Sequence, residues 1–377
     1  MRMIMIIINI VTSFGAASWA ALMKSNSYIA RRKMMKKTTI LFGAFTAGLV
    51  LSTASAAEGI TVYGKANVSV DHMNLSAGEE TAVASNSSRI GFKGDKALNH
   101  GFTGVWKFEN EIDVMAEEKP LSARNRYLGL KHDVGTVLVG YHDTPYKSFG
   151  GKAGVFHDSI GERRGILGAG NGDNKFNTRA KNSVLYISPK VAGIELQAMG
   201  SSGDDNDKDA STAGDSRGMK SFSLLYSGDS FYAGLAYEDQ KNLTATQGTG
   251  TRAGFGAKFG GTAINAMYEI LDSKLNEFTR NAYGLSVVQK IGDLSLKAQT
   301  FIAEDYKDVK DSGALLYAVG ADYKLDKDFT LYAIYAAVDN KDKGKYVLAG
   351  SGHGEKYKPN AAGDDLSGFS MGMTMSF

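Results

Sequence analysis

The feature that most constrains the fold is a strict alternation of side chains at the end of the sequence. Residues 369–377 read FSMGMTMSF, in which every second residue is large and apolar and those between are small or polar. A period of two is typical of a β-strand with one apolar and one polar face. The run LSLKAQ at 294–299 repeats the pattern. The sequence therefore predicts an all-β protein.

Composition supports many strands joined by tight turns. The chain has 45 Gly, 18 Tyr and 18 Phe but only 4 Pro. Aromatic residues favour strands, and prolines are excluded from the interior of a sheet. The sequence has no Cys, which excludes disulfides and thiolate metal sites.

Charge separates the first 56 residues from the rest. Residues 1–56 carry seven Lys or Arg and no acid, so residues 57–377 have 36 basic groups against 40 acidic ones. The formal net charge of +3 therefore does not describe the main part of the chain. We expect no nucleic-acid partner.

Residues 34–56 have the three parts of a secretory signal peptide. The segment begins with Lys36 and Lys37, continues with an apolar core, and ends with the small residues ASA before Ala57. This order predicts export and cleavage, with a mature chain that begins at Ala57.

The residues before this segment have two interpretations. Residues 3–23 form an uncharged stretch long enough to span a bilayer, as a single-pass inner-membrane helix would. Met34 and Met35 are better starts for a signal peptide. We therefore interpret residues 1–33 as an upstream extension or a misassigned start, and the inner-membrane helix stays an alternative.

From residue 57 onward the pattern is one of short strands and turns. No stretch there approaches the roughly 20 consecutive apolar residues of a membrane helix. We predict sixteen strands, at approximately 60–72, 85–95, 101–112, 123–133, 135–143, 179–189, 193–200, 219–227, 230–239, 251–260, 262–271, 280–290, 293–303, 313–325, 328–338 and 366–377.

The connections between these strands alternate in length. Short ones read DVG, SGDS, FGGT and IGD, whereas the long ones include 144–178, 201–218, 240–250, 304–312 and 339–365. Short turns at one end and long loops at the other are typical of an antiparallel up-and-down β-barrel. Sixteen strands enclose a space too wide for their own side chains to fill, so we expect the inner face to line water. The apolar face then points outward into lipid, which makes this a transmembrane barrel.

The sequence resembles the general porins of the Gram-negative outer membrane, of the type with sixteen strands and three identical subunits. The resemblance covers essentially all of 57–377. It rests on the segments ITVYGKANVSVD, SSRIGFKGD, RNRYLGLKHDVGTVLVGYHDTPYKSF, RAKNSVLYISPKVAGIELQA and FSMGMTMSF.

The resemblance implies a function and a set of partners. It implies a homotrimer in the outer membrane, in contact with lipid and lipopolysaccharide, that forms a water-filled channel for small hydrophilic solutes and ions. It implies no enzymatic activity and no cofactor. Phe377 and its alternating neighbours would be read by the barrel-assembly machinery. A substrate-selective channel is the alternative.

The resemblance also places a constriction in the channel. In porins the third long loop, here 144–178, folds into the lumen. Asp158 and Glu162 within it are four residues apart, so one helical turn would put both carboxylates on the same side.

Basic residues are expected on the barrel wall opposite these acids. The positions that match the family are Lys65, Arg89, Arg124 and Lys181. Acids facing bases across a wet gap create a transverse field that orients dipolar solutes and penalises apolar ones.

Three points at the constriction stay open. Arg179 competes with Lys181 for its position. Strict alternation puts Arg124 on the same face as Leu128, so either a bulge resets the phase or that face is a subunit contact. Arg163 and Arg164 interrupt the acidic loop and leave the sign of any ion preference undecided. Arg179 and Lys181 lie in RAK, Arg124 and Leu128 lie in SARNRYL, and Arg163 and Arg164 lie in GERRG.

Other chemistries have weaker signals. Asp205, Asp207 and Asp209 have the every-second-residue spacing of a calcium loop, but its Gly and closing Glu are absent. We interpret this segment as a solvated outer loop, with a divalent-ion site as the alternative. No His pair has zinc spacing. An outer-membrane hydrolase would have only His157 beside Asp158 to draw on, and a plugged or adhesive barrel would admit no sugar.

Overall fold

The computed structural model describes residues 59–115, 121–169, 176–202, 218–241, 248–273 and 279–377. The segments assigned to the signal peptide and to the upstream extension lie outside these ranges, as does the acidic run 205–209. Among the described residues, none of the helices combines the length and the apolar character needed to cross a membrane.

The described residues form one antiparallel sheet of seventeen strand segments that closes on itself. The helical segments are short: α1 Pro145–Gly150 and the 3-10 helices Asn99–Gly101 and Arg163–Gly165. The strands are β1 Ile60–Leu75, β2 Gly78–Ser85, β3 Arg89–Ala97, β4 Thr103–Glu111, β5 Ser122–His132, β6 Gly135–Asp143, β7 Arg179–Ile187, β8 Ile194–Ser201, β9 Met219–Ser227, β10 Phe231–Gln240, β11 Gly248–Phe259, β12 Thr262–Ser273, β13 Arg280–Ile291, β14 Leu294–Ala303, β15 Ala314–Lys324, β16 Phe329–Asn340 and β17 Leu366–Ser376.

The second barrel strand is interrupted, which explains seventeen segments in a barrel of sixteen strands. Both β2 and β3 pair with β1, β2 along its second half and β3 along its first half. Between them residues 86–88 are buried, and Ser87 has a φ of 47°. β2 and β3 therefore occupy one position in the ring, and the predicted sixteen-stranded barrel is confirmed.

β1 and β17 close the ring. Val70 pairs with Met371, and Phe377 exchanges two backbone hydrogen bonds with Gly64, of 2.9 and 3.2 Å. A Cβ atom at Gly64 would meet the Phe377 ring, so this aromatic side chain lies directly over the glycine. The closing strand thus depends on a residue without a side chain.

The outer face of the barrel is apolar. On β15 Val319 is 52% exposed, whereas Leu316 on the opposite face is fully buried. The large residues of the final alternation, from Phe369 to Phe377, are exposed. The apolar face of the strands therefore points away from the lumen, as the alternation predicts.

The inner face is not uniform, and the expectation that it lines water is wrong for the part that loops cover. Two segments enter the barrel: the lumen loop, described over residues 144–169 and 176–178, and the last loop, residues 341–365. Their apolar side chains pack on the inner face of β10–β16, which we call the covered wall. This core includes Tyr146, Phe149, Phe156, Ile160, Ile166, Leu167 and Phe176 of the lumen loop and Tyr346, Leu348 and Tyr357 of the last loop.

The inner face of β1 and β3–β5 is different, and we call it the open wall. Lys65, Arg89, Lys107 and Arg124 line it with partly exposed side chains. Sixteen strands leave more space than their side chains fill. In this barrel the two loops fill the space beside the covered wall, and the last loop also contacts Asp71 near the end of β1. The remaining space lies beside the charged side chains of the open wall.

Candidate functional site

The lumen loop turns inward at α1. Thr144 caps the helix, because its hydroxyl accepts a hydrogen bond from the Lys147 backbone N–H at 3.2 Å. Pro145 occupies the first turn, where a missing N–H costs nothing. The next residue, Tyr146, is fully buried against the covered wall. The sequence TPY therefore directs the chain into the lumen.

A buried ionic cluster on β11, β12 and β13 holds the lumen loop. Glu269 accepts hydrogen bonds from Arg252 Nε at 2.8 Å, the Tyr146 hydroxyl at 3.0 Å and the Gly168 backbone N–H at 2.8 Å. Arg252 and Tyr146 bind Oε2, whereas Gly168 binds Oε1, which also lies 3.5 Å from Arg280 Nη1. The three charged side chains are fully buried. We call Arg252, Glu269 and Arg280 the anchor cluster.

The two arginines of the anchor cluster also bind the loop directly. Arg252 donates to the Tyr146 carbonyl and to Asn177 Oδ1, both at 3.0 Å. Arg280 donates to the Ile166 carbonyl at 2.6 Å. Both ends of the lumen loop are thus attached to one group of charges.

The middle of the loop follows the wall toward β14. The Ser286 hydroxyl donates to the Ala153 carbonyl at 2.7 Å. Gln299 Oε1 accepts from the Val155 backbone N–H at 3.0 Å, and its amide donates to the Gly161 carbonyl. This path carries the chain across the lumen to Asp158.

Asp158 and Glu162 are brought together, but not by a helical turn. Asp158 has a φ of 53°, in the left-handed region, and Glu162 caps the 3-10 helix that follows. Arg164 Nη2 lies 3.2 Å from Asp158 Oδ1 and 2.9 Å from Glu162 Oε2. The predicted helical turn is therefore wrong, because the backbone at Asp158 is not helical. Arg164 of the same loop bridges the two carboxylates instead.

The two acids differ in what they face. Glu162 is fully buried and also pairs with Arg163, whereas Asp158 reaches the open wall, with Lys65 Nζ at 2.9 Å from its Oδ2 and Arg89 Nη1 at 3.9 Å. Lys65 and Arg89 are neighbours in register on β1 and β3. The loop therefore meets the opposite wall at Asp158.

Neighbouring cations keep both carboxyl groups ionised. Burial opposes ionisation of Asp158, but Lys65 and Arg164 lower its pKa below the ordinary value. Burial likewise opposes ionisation of Glu162, and Arg164 and Arg163 hold its pKa well below the usual range. At neutral pH both carboxyl groups are therefore ionised.

A β-bulge brings Arg124 to the open wall. The register between β4 and β5 shifts between Phe108 and Asn110, which resets the alternation ahead of Leu128. Arg124 then donates to Glu109 Oε1 at 2.7 Å and to Glu111 Oε2 at 2.8 Å. Of the two explanations that the sequence left open for Arg124, the structure has the bulge.

On β7 the structure distinguishes Arg179 from Lys181. Arg179 Nε lies 2.8 Å from Asp143 Oδ1, and Lys147 of α1 lies 2.7 Å from the same oxygen. Lys181 has an exposed side chain, and its carbonyl accepts from the Ser201 hydroxyl. Arg179 therefore meets an acid at the start of the lumen loop.

Sequence reasoning missed the anchor cluster and the inward course of the last loop. Arg252, Glu269 and Arg280 sit at inward positions of adjacent strands, and matching those positions in the sequence could have found them. The last loop carries the glycine-rich run AGSGHG, and its Ala349 donates to the Ile160 carbonyl at 3.0 Å. Among the described residues no three His, Asp or Glu side chains group as metal ligands.

Comparisons with known proteins agree with this architecture. A family model described as Gram-negative porin matches residues 24–343. The chain is 26% identical to a major outer membrane protein P.IB of Neisseria gonorrhoeae over 237 residues, which is 59% of this chain and 60% of that protein. It is 30% identical to P.IB of Neisseria sicca over 173 residues, or 44% of this chain and 46% of that protein. The chain therefore spans less than two thirds of the curated relatives it matches.

Solved structures show the same fold. An anion-selective porin from Comamonas acidovorans superposes with a TM-score of 0.73 at 21% identity, covering 84% of this chain and 99% of that one. OmpF of Salmonella typhi in a complex with daunomycin has a TM-score of 0.61 at 17% identity, covering 84% and 97%.

Proposed function

We propose, from the premise that this chain belongs to the Gram-negative porin family, that it forms a water-filled channel for passive diffusion of small hydrophilic solutes and ions. The family places the barrel in the outer membrane. The observation that carries the proposal is the open wall, a row of partly exposed charges left uncovered by the loops that fill the other side. Such a surface is suited to hydrated solutes and not to a hydrophobic core.

We propose that Lys65, Arg89 and Arg124 on the open wall and Asp158 on the lumen loop line the constriction. Glu162 acts there through Arg164, which it helps to hold beside Asp158. Lys181, with its exposed side chain, and Arg179 would act at the outer approach. The field between the two sides favours solutes that carry charge or a dipole.

We infer that the channel prefers anions. The charged groups described around the constriction include six basic residues, Lys65, Arg89, Lys107, Arg124, Arg163 and Arg164, and four acidic ones, Glu109, Glu111, Asp158 and Glu162. Because both loop acids are paired with arginines of the same loop, they offer little free negative charge to a passing cation. The structural neighbour from Comamonas acidovorans is an anion-selective porin.

Liposome swelling and planar-bilayer recording test this function. Purified protein should admit small sugars at rates that fall with solute size and do not saturate, and a salt gradient should give a reversal potential of anionic sign. Rates that saturate for one solute would favour the substrate-selective alternative. Liposomes that stay closed to every sugar would contradict the channel itself.

Assembly is part of the proposal. We propose a homotrimer that contacts outer-membrane lipid and lipopolysaccharide, with the segment before Ala57 removed on export. Arg126 and Asn110 form a hydrogen-bonded polar pair on the outward face, in register with the exposed Phe108. A second subunit would shield this pair from lipid, where a charged side chain is costly.

We also propose that the barrel-assembly machinery reads Phe377. Replacing Phe377 with Asp should leave unassembled chain in the periplasm, because the ring over Gly64 and the closing strand are lost together. Heat-modifiable trimers on a gel at the wild-type level would contradict this role.

A further inference from the structure

The last loop is fastened inside the barrel by one buried carboxylate. Asp71 on β1 is fully buried, and its Oδ2 lies 2.9 Å from His353 Nε2. The Tyr357 hydroxyl donates to the same oxygen at 3.2 Å, and the Ser370 hydroxyl donates to the other at 2.6 Å. Two residues of the last loop therefore depend on Asp71.

The break between β2 and β3 supplies a second attachment. Asn86 Oδ1 accepts a hydrogen bond from the Gly354 backbone N–H at 3.0 Å. The Asn86 amide also donates to Ser69 Oγ at 2.8 Å, which fixes it to the wall. The interruption between β2 and β3 thus places the Asn86 amide oxygen within hydrogen-bond distance of the last loop.

The attached part of the loop lies against the constriction. Gly352 has a φ of +115°, and a Cβ atom there would come within 2.4 Å of Asp158 Oδ1 and 2.5 Å of Arg164 Nη2. A Cβ atom at Gly350 would lie 2.7 Å from the Gly165 backbone nitrogen. The loop backbone therefore packs directly against the side chains of Asp158 and Arg164.

From these contacts we infer that the last loop is a second wall of the constriction, and that Asp71 is the residue that positions it there through His353 and Tyr357. The inference rests on the proposed channel function. The lumen loop supplies the charges, and the last loop holds Arg164 between Asp158 and Glu162. Release of the last loop widens the passage and frees Arg164.

The test uses the full chain with Asp71→Asn, which keeps the size of the side chain and removes its charge. The matched control is Asp272→Asn, an exposed residue on β12 that accepts a hydrogen bond from Thr279. Because hydrogen bonds to a charged group are stronger than those to a neutral one, loss of the charge should raise the occupancy of a wider, noisier open state about tenfold. Single-channel recordings should show that state in Asp71→Asn and not in the control.

Thiol labelling gives a readout independent of conductance. The chain has no Cys, so Leu348→Cys, at a fully buried position of the last loop, introduces one thiol. It should react slowly in the otherwise wild-type protein and at least tenfold faster when Asp71→Asn is added. A change in barrel folding alone would not speed labelling in assembled trimers.

If Asp71→Asn does not assemble, the double variant His353→Leu with Tyr357→Phe removes the same contacts from the loop side and leaves β1 intact. Conductance, noise and labelling equal to those of Asp272→Asn in an assembled variant would overturn the inference. That result differs from failure of the proposed function, in which the wild-type protein itself would form no channel.

Discussion

The open wall and the covered wall use the same residue types for opposite purposes. Arg89 on the open wall is partly exposed and lies 3.9 Å from an acid of the lumen loop, where we propose that it acts on solutes. Arg252 on the covered wall is fully buried, stacks on the Tyr146 ring and pairs with Glu269. The role of an inward-facing charged residue on a barrel strand therefore depends on whether a loop covers it.

The difference follows from desolvation. A charge removed from water is tolerated only when partners replace its hydration, and Glu269 has four such partners. On the open wall water supplies part of that solvation, so fewer protein contacts suffice. We expect mutations in the covered wall to change the stability of the barrel, and mutations in the open wall to change the ion selectivity of the channel.

Glu269→Gln should destabilise the covered wall and cause the largest loss of stability among these variants. It removes the negative charge between Arg252 and Arg280, and disruption of a buried pair of this kind costs about 3–5 kcal/mol. Denaturant unfolding should show that loss, and channel recordings should become noisier as the lumen loop loosens. Glu304→Gln, an exposed acid that accepts from Asn281, is the control and should change neither measurement.

Arg89→Ser tests the open wall. The barrel should unfold as the wild type does, while the reversal potential shifts toward cations and the single-channel conductance rises. The effect should fade in strong salt, since the Debye length falls from about 10 Å at 0.1 M to about 3 Å at 1 M. Lys327→Ser removes an equal charge from an exposed turn. An equal shift in that variant would mean that Arg89 has no special position.

Neutralising the loop acids sharpens the comparison. Asp158→Asn with Glu162→Gln should increase anion preference, because Lys65 and Arg164 lose their partners. Most of the shift should come from Asp158→Asn alone, since Glu162 is buried behind Arg164. Reversal potentials of the two single variants at low salt measure how much of the shift each substitution causes. If neither variant moves the potential, these carboxylates do not face the passage.

The smallest effect is a pH response at the start of the lumen loop. Burial lowers the pKa of Lys147 to about 8, against the attraction of Asp143. Between pH 7 and 9 its charge is lost, and the reversal potential should move slightly toward cations. Above pH 8 the unfolded chain holds this proton more tightly than the folded one, so stability from this group rises with pH.

Lys147→Gln should abolish that response, whereas Lys327→Gln should retain it. A pH response of unchanged size in Lys147→Gln would assign it to another group.

The outer surface was predictable from the sequence because side chains that face lipid are apolar and recur at every second position of a strand. Met371 and Val319 belong to runs of strict alternation, and such runs mark the strands that can be counted in the sequence. Alternation alone could not place Arg124 on the inner face, since a one-residue bulge reverses the face of a side chain. The last loop was missed for a different reason. Its path depends on contacts such as His353 with Asp71, between residues far apart in the chain.

The pairing of β1 with β17 has a consequence for the order of folding. It joins Val70 to Met371, so the contact that completes the ring is also among the most distant in the sequence, and contacts of this kind form slowly. Until it forms, the first and last strands are unpaired edges that invite aggregation. Asp71 and Ser370 meet across the same seam. The last loop can therefore be fastened only after closure, and a channel with an unfinished seam would be both leaky and indiscriminate.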